Sequence, residues 1–133
     1  MSAANALLRA IQTRLAADAA LASLTGVGGI IDRLLARPVL PCLVIGDLES
    51  RDYSTSTEKA EEHFLTLEAW AEAGGRRRAQ EIAARVVALL DDAALPLEGG
   101  IVLVNLQHRS TRSRREAKTR NFVAEMQFRA VTE

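Results

Sequence analysis

The sequence holds one cysteine, one tryptophan, one tyrosine and three phenylalanines among 133 residues. A lone Cys42 excludes an intramolecular disulfide framework, and no Cys/His spacing forms a zinc pattern. Aromatics make up only 4% of the chain, so alanine and aliphatic residues must fill the core. An excess of one charge is missing too. Basic and acidic residues balance at 17 each, which excludes a polybasic whole-chain binder of nucleic acid. No apolar run approaches the roughly 18 residues that mark a transmembrane helix, and no membrane partner is expected. Arg9 and Arg14 interrupt the apolar pattern at the N-terminus, so that stretch reads as an amphipathic helix rather than a signal peptide. The length fits one domain spanning 1–133, able to bury about two-thirds of its unfolded surface without a disulfide or a metal.

What is present is periodic. Leu7, Leu8, Ile11 and Leu15 recur at helical spacing, and Asp18 is a candidate N-cap for a short second turn through Ala22. Thr25-Gly26 stops it and Gly28-Gly29 makes a turn. Ile30-Ile31 reads as the start of a short strand, Pro38 and Pro41 bracket a connection, and Leu43-Val44-Ile45 is a second short strand. The polar run from Asp47 to Glu62 reads as a loop or a long hairpin arm. Phe64 to Trp70 alternates: Phe64, Thr66, Glu68 and Trp70 share one face, and Leu65, Leu67 and Ala69 the other. Arg76 to Asp91 is a second strong helix, with Ile82, Val86, Leu89 and Leu90 as its apolar stripe. Ile101–Leu106 reads as a strand, Ser110–Thr119 as a polar loop. The last strand turns Phe122, Ala124, Met126, Phe128 and Ala130 to the core. The expected fold is α+β: a mainly antiparallel sheet with two helices packed on one face. The other face carries Glu68, Glu125, Gln127 and Arg129 beside Trp70, a candidate assembly surface.

No catalytic constellation is visible, so the chain reads as a non-enzyme with no metal and no cofactor. Cys42 follows Pro41 at the head of an apolar strand and reads as a buried inert thiol, not as the partner of His63 or His108. The two histidines stand at strand ends with no i, i+4 partner. The glycines at 26, 28 and 29 follow a helix and precede no Lys-Ser or Lys-Thr, so they do not form a phosphate-cradling loop. Glu61-Glu62 and Asp91-Asp92 are sequence neighbours that point to different faces and make no acid–base pair.

Charge patterning is more informative. Residues 47–62 hold Asp47, Glu49, Asp52, Glu58, Glu61 and Glu62 against Arg51 and Lys59, a net −4. Residues 109–120 hold Arg109, Arg112, Arg114, Arg115, Lys118 and Arg120 against Glu116, a net +5. Both segments exceed the roughly 4–6 residues of an ordinary connection. Three readings stay open: two solvated loops; complementary contact between copies of the chain or with neighbouring assembly proteins; or a basic arm, carrying Arg112, Arg114, Arg115 and Arg120, on nucleic acid. No aromatic lies between Arg109 and Arg120 to stack a base, so the last would be sequence-blind.

Three stretches carry a resemblance over nearly the whole chain. They are Leu40-Pro41-Cys42-Leu43-Val44-Ile45-Gly46; the alternating strand from Glu61 to Trp70 with Gly74-Gly75 and the helix after it; and Asp92-Ala93-Ala94-Leu95-Pro96-Leu97-Glu98-Gly99 leading into Ile101–Leu106. In order and spacing the chain resembles the tail-completion, or tail terminator, proteins of long-tailed phages and gene transfer agents. The resemblance implies a non-enzymatic particle component that forms a hexameric ring on the head-proximal end of the tail tube. The implied partners are other copies of the chain, the tail tube protein and the head–tail connector, with DNA passing through the lumen without sequence-specific contact. It also implies assembly in the bacterial cytoplasm and residence in the tail of the finished particle. Within that frame Asp47, Glu49, Arg51, Asp52, Glu58, Arg112, Arg114, Arg115, Lys118 and Arg120 are the interface candidates.

Overall fold

A computed structural model describes residues 2–26, 28–32 and 39–133. The chain opens with α1 (Ala3–Ala16). The Ser2 side chain caps it by accepting from the Asn5 N–H at 3.1 Å. Its stripe of Leu7, Ile11 and Leu15 is buried, as their spacing requires. The expected short turn is a full third helix, α2 (Ala19–Thr25). The Asp18 carboxylate caps it, accepting from the Leu21 N–H at 2.8 Å. Leu21 is its buried anchor.

Five strands follow: β1 (Ile30–Ile31), β2 (Cys42–Asp52), β3 (Glu61–Ala71), β4 (Leu103–Arg115) and β5 (Phe122–Thr132). The helix α3 (Arg76–Leu90) lies between β3 and β4 in sequence. The sheet order is β1-β2-β3-β5-β4. The β1/β2 pair is parallel, and the other three pairs are antiparallel. The Pro38 end of the expected bracket lies outside the described residues.

The alternation in β3 and β5 is realised as read. Leu65, Leu67, Ala69, Phe122, Ala124, Met126, Phe128 and Ala130 form one buried cluster with α1, α2 and α3. Ala79 and Ala83 on α3 are small enough to bring its backbone close to the sheet, and Ile82 and Val86 fill the space between. On the helix-free face a second cluster forms from Cys42, Val44, Trp70 and Val123, with Ile31 and Leu40 packed against it.

Of the two charged runs, the acidic run 47–62 takes the hairpin-arm alternative: β2 continues to Asp52 and β3 begins at Glu61, so half of it is strand and 53–60 is the tip. The other differs from the sequence expectation. The basic run is not a loop through Thr119. β4 continues to Arg115, and only 116–121 turns. Its residues lack an apolar pattern because this strand lies at the sheet edge. The pairing comes from β5, whose buried face dictates the register from Ser110↔Gln127 to Arg115↔Phe122.

Candidate assembly interface

The register fixes where the two charged runs lie. Asp52 is level with Glu61, Thr132 and Leu103, whereas Cys42 is level with Trp70, Val123 and Arg114. The acidic arm therefore ends at one end of the sheet and the basic turn at the other. The acidic run occupies β2 and β3, and the basic run β4 at the far edge. From β2 to β4 is three inter-strand steps, about 14 Å. Within one subunit the two runs cannot neutralise each other.

Asp47, Glu49, Arg51, Asp52 and Glu58 are all exposed. Arg51 lies 3.3 Å from Glu49 and stacks its guanidinium 5.0 Å from the centre of the Phe64 ring. Hydrogen bonding from Ser54 holds the Asp52 carboxyl below its ordinary range. Glu58 sits in the tip, where its N–H donates to the Thr55 hydroxyl at 3.1 Å.

On the basic side Arg112, Arg115, Lys118 and Arg120 are exposed and Arg114 is half-buried. Arg114 donates to Glu125 across the strand pair at 2.7 Å. Arg115 stacks on Phe122 at 4.9 Å, and Arg76 from α3 stacks on the same ring at 4.8 Å. The turn is organised by the Glu116 carboxylate, which accepts from the Thr119 hydroxyl and from the Thr119 and Lys118 N–H groups. The Thr119 hydroxyl is the main reason its pKa is lowered. Glu116 is thus committed to its own turn, and Lys118 and Arg120 project beyond it. Among the described residues Arg109 and Arg112 have no ion-pair partner.

Much of the helix-free face is paired within itself, although Asn105 Oδ1 there is buried without a partner. Arg129 pairs with Glu62 at 2.6 Å with both side chains about one-sixth exposed, and stacks on Tyr53 at 5.5 Å. The Trp70 indole N–H donates to Glu68 at 3.1 Å, and the Thr66 hydroxyl donates to Gln127 at 3.0 Å. Charges bonded in this way bind the sheet together more than they offer themselves to a partner.

Other singled-out groups have structural surroundings. Burial pushes the Cys42 thiol up to about 11, which keeps it protonated and unreactive. His63 is fully buried, a correction to the strand-end reading. Its Nδ1 meets the Ser50 hydroxyl at 2.7 Å and its Nε2 the Thr132 hydroxyl at 2.9 Å. His108 lies edge-on to Phe128 at 5.5 Å. A groove of about 500 Å³ runs between α1 and residues 94–98, lined by Ala6, Ala10, Leu95 and Pro96, with Arg9 and Glu98 also on its walls. None of the groups whose titration is displaced lines it. No helix among the described residues is long and apolar enough to cross a membrane.

Sequence reasoning missed Arg76, which adds to the basic end. The triplet Arg76-Arg77-Arg78 was a visible signal, but only the fold brings Arg76 against Arg115 across Phe122. It also missed the Asp91-Asp92 turn. There the Asp92 N–H donates to the Leu106 carbonyl at 2.8 Å, and the His108 N–H donates to the Asp91 carboxylate at 2.9 Å.

A comparison with curated proteins found no match. Among solved structures the chain is similar to a chain of the virion of a native gene transfer agent particle. The two share 29% identity with a TM-score of 0.88, over 99% of this chain and 98% of that one. The family model described as tail completion protein gp17 matches residues 9–133. A model that matches all but the first eight residues, together with the same α+β architecture in a particle component, shows that this chain belongs to the tail completion protein gp17 family, structural proteins of the phage tail.

Proposed function

We propose that this chain is the terminator of a phage-like tail: a ring of copies, six by resemblance to the family, that caps the tail tube and joins it to the head connector. Its partners are other copies, the tube protein and the connector, with DNA crossing the lumen without sequence-specific contact. The chain assembles in the bacterial cytoplasm and stays in the tail of the particle. One observation carries this reading: opposite charges stand on opposite edges of one sheet in a subunit of zero net charge. Such a subunit favours head-to-tail contact, because its two flanks attract each other and each repels its own kind. A terminator must also bind the last tube ring better than another terminator ring. Charged arms supply that discrimination, since a wrong partner leaves charges unpaired.

Reversal of Arg112 and Arg115 tests the reading. Arg114 is left alone because its pairing with Glu125 belongs to the sheet. Arg112→Glu/Arg115→Glu is expected to keep the far-ultraviolet spectrum and thermal midpoint near wild type. Electron micrographs should show overlong tubes and unjoined heads in place of finished particles. Normal numbers of tailed particles of normal length would reject the role of this flank. The nucleic-acid reading draws on Arg112, Arg114, Arg115 and Arg120, of which Arg114 is already bonded to Glu125. Phe122, the aromatic nearest the basic turn, is 5% exposed beneath two arginines and offers no face to a base.

A further inference from the structure

The sheet has two edges, and each is closed over part of its length. On the β2 side, among the described residues, β1 covers Leu43 and Val44. From Gly46 to Asp52 no outer backbone hydrogen bond is made among the described residues. On the β4 side the Asp91-Asp92 turn occupies the Leu106 carbonyl and the His108 N–H. From Arg109 to Arg115 the outer backbone groups make no hydrogen bond among the described residues. The two open stretches are equal in length. They lie diagonally: one at the Thr132 end of the sheet, the other at the Phe122 end.

Unpaired strand edges are templates for another strand. Three antiparallel steps separate β2 from β4, so the two strands run in opposite directions. A second copy that continues the sheet thus sets its β2 antiparallel to the first copy's β4. Level continuation is blocked. It would bring Glu49, which is level with Phe64, Arg129 and Gln107, against the covered stretch of β4, and β1 of the new copy against Arg112 and Ser113.

We infer that copies of this chain join by strand addition in a staggered register, with Asp47, Glu49 and Asp52 of one copy opposite Arg114, Arg112 and Arg109 of the next. A shift of about five residues, roughly 17 Å along the strand, moves the open stretches past the two covers. Counted along the strands from Glu49 against Arg112, Asp47 falls opposite Arg114 and Asp52 opposite Arg109, with Asp47 and Arg109 at the irregularities of β2 and β4. Face parity agrees. Glu49 pairs with Phe64, and Arg112 with Glu125, both on the helix-free face. Stagger between neighbours is also what closing a sheet into a ring demands, because strands in a closed sheet must tilt. The same charges repel β2 from β2 and β4 from β4, so the edges select each other.

The inference rests on the ring reading above, and thiol crosslinking separates the two. Glu49→Cys/Arg112→Cys is compared with Glu49→Cys/Gln107→Cys, the level register, in purified oligomer and in assembled particles. Both sets of positions are exposed, and the wild type controls for the buried Cys42. With a short bifunctional maleimide, the 49/112 variant is expected to run as a ladder of covalent multimers ending at one size on a denaturing gel. The 49/107 variant should stay monomeric. A ladder from 49/107 alone would overturn the register and leave the ring. No ladder from either, in samples whose native mass shows a closed oligomer, would overturn strand addition and leave the ring. Monomers in solution together with absence from finished particles would overturn both.

Discussion

His63 has no exposed surface and holds two hydroxyls, Ser50 from β2 and Thr132 from β5, one on each ring nitrogen. It ties three adjacent strands together at the hairpin end of the sheet. Burial favours the neutral ring and lowers its pKa below 6.5, with the nearby Glu61 opposing in part. An unfolded chain takes up a proton at 6.5 and the folded one resists until lower pH. The unfolded state therefore binds more protons below that point, and stability falls as pH drops through it. The thermal midpoint of the wild type should decline from about pH 7.5 to 5.5. His63→Gln should begin about 1–3 kcal/mol less stable, since one hydroxyl loses its partner in the interior, and then run flatter over the same range. Parallel profiles in a calorimeter would remove His63 as the source. The acid limb below pH 4 belongs elsewhere. Arg85, followed by the Leu21 N–H, holds Asp18 at about 2, so its contribution is full above 3.8 and lost toward 2.

Asp18 also sets the argument at the scale of elements. A helix of seven residues does not stand alone in water. α2 exists because Asp18 caps its first turn and also clamps Arg85 of α3 in a two-point contact at 2.6 and 2.8 Å. Asp18→Ala should lower the thermal midpoint and speed hydrogen exchange at the α2 amides, with the β3 and β5 amides unchanged. Equal loosening of sheet and helix would show that α2 is not held by this residue. The cap was legible in the sequence, but the clamp to Arg85 was not, because it spans 67 positions. The same division holds in the sheet. β3 and β5 were readable from alternation, since each buries one side and needs an apolar residue at every second position. The far half of β4 was not, because a mostly exposed edge strand carries Ser, Thr and Arg in a pattern that says nothing of pairing. The interface candidates were legible as charge. Their geometry was not. Only the β5 register separates Arg114, already bonded to Glu125, from Arg109 and Arg112, which face outward without a carboxylate.

At the scale of the molecule, zero net charge with separated ends makes a subunit whose association depends on salt in a particular way. Charged flanks steer encounter, and that steering weakens as the screening length falls from about 30 Å at 0.01 M to about 3 Å at 1 M. A backbone ladder between strands is far less sensitive. Light scattering of the purified chain should show oligomer formation that slows as salt rises through that range, while rings already formed dissociate little faster. Arg109→Glu/Arg112→Glu should associate slowly at every salt concentration, having lost the attracting flank. A fluorescent oligonucleotide in the same titration separates the rival reading. If these arginines serve phosphates, the labelled strand binds at low salt and its affinity falls steeply with added salt, as counterion release requires. If they serve a neighbouring copy, the strand competes weakly and ring formation proceeds in its presence. Association indifferent to salt in the wild type, or tight oligonucleotide binding that blocks rings, would show that the opposed flanks are not what brings the copies together.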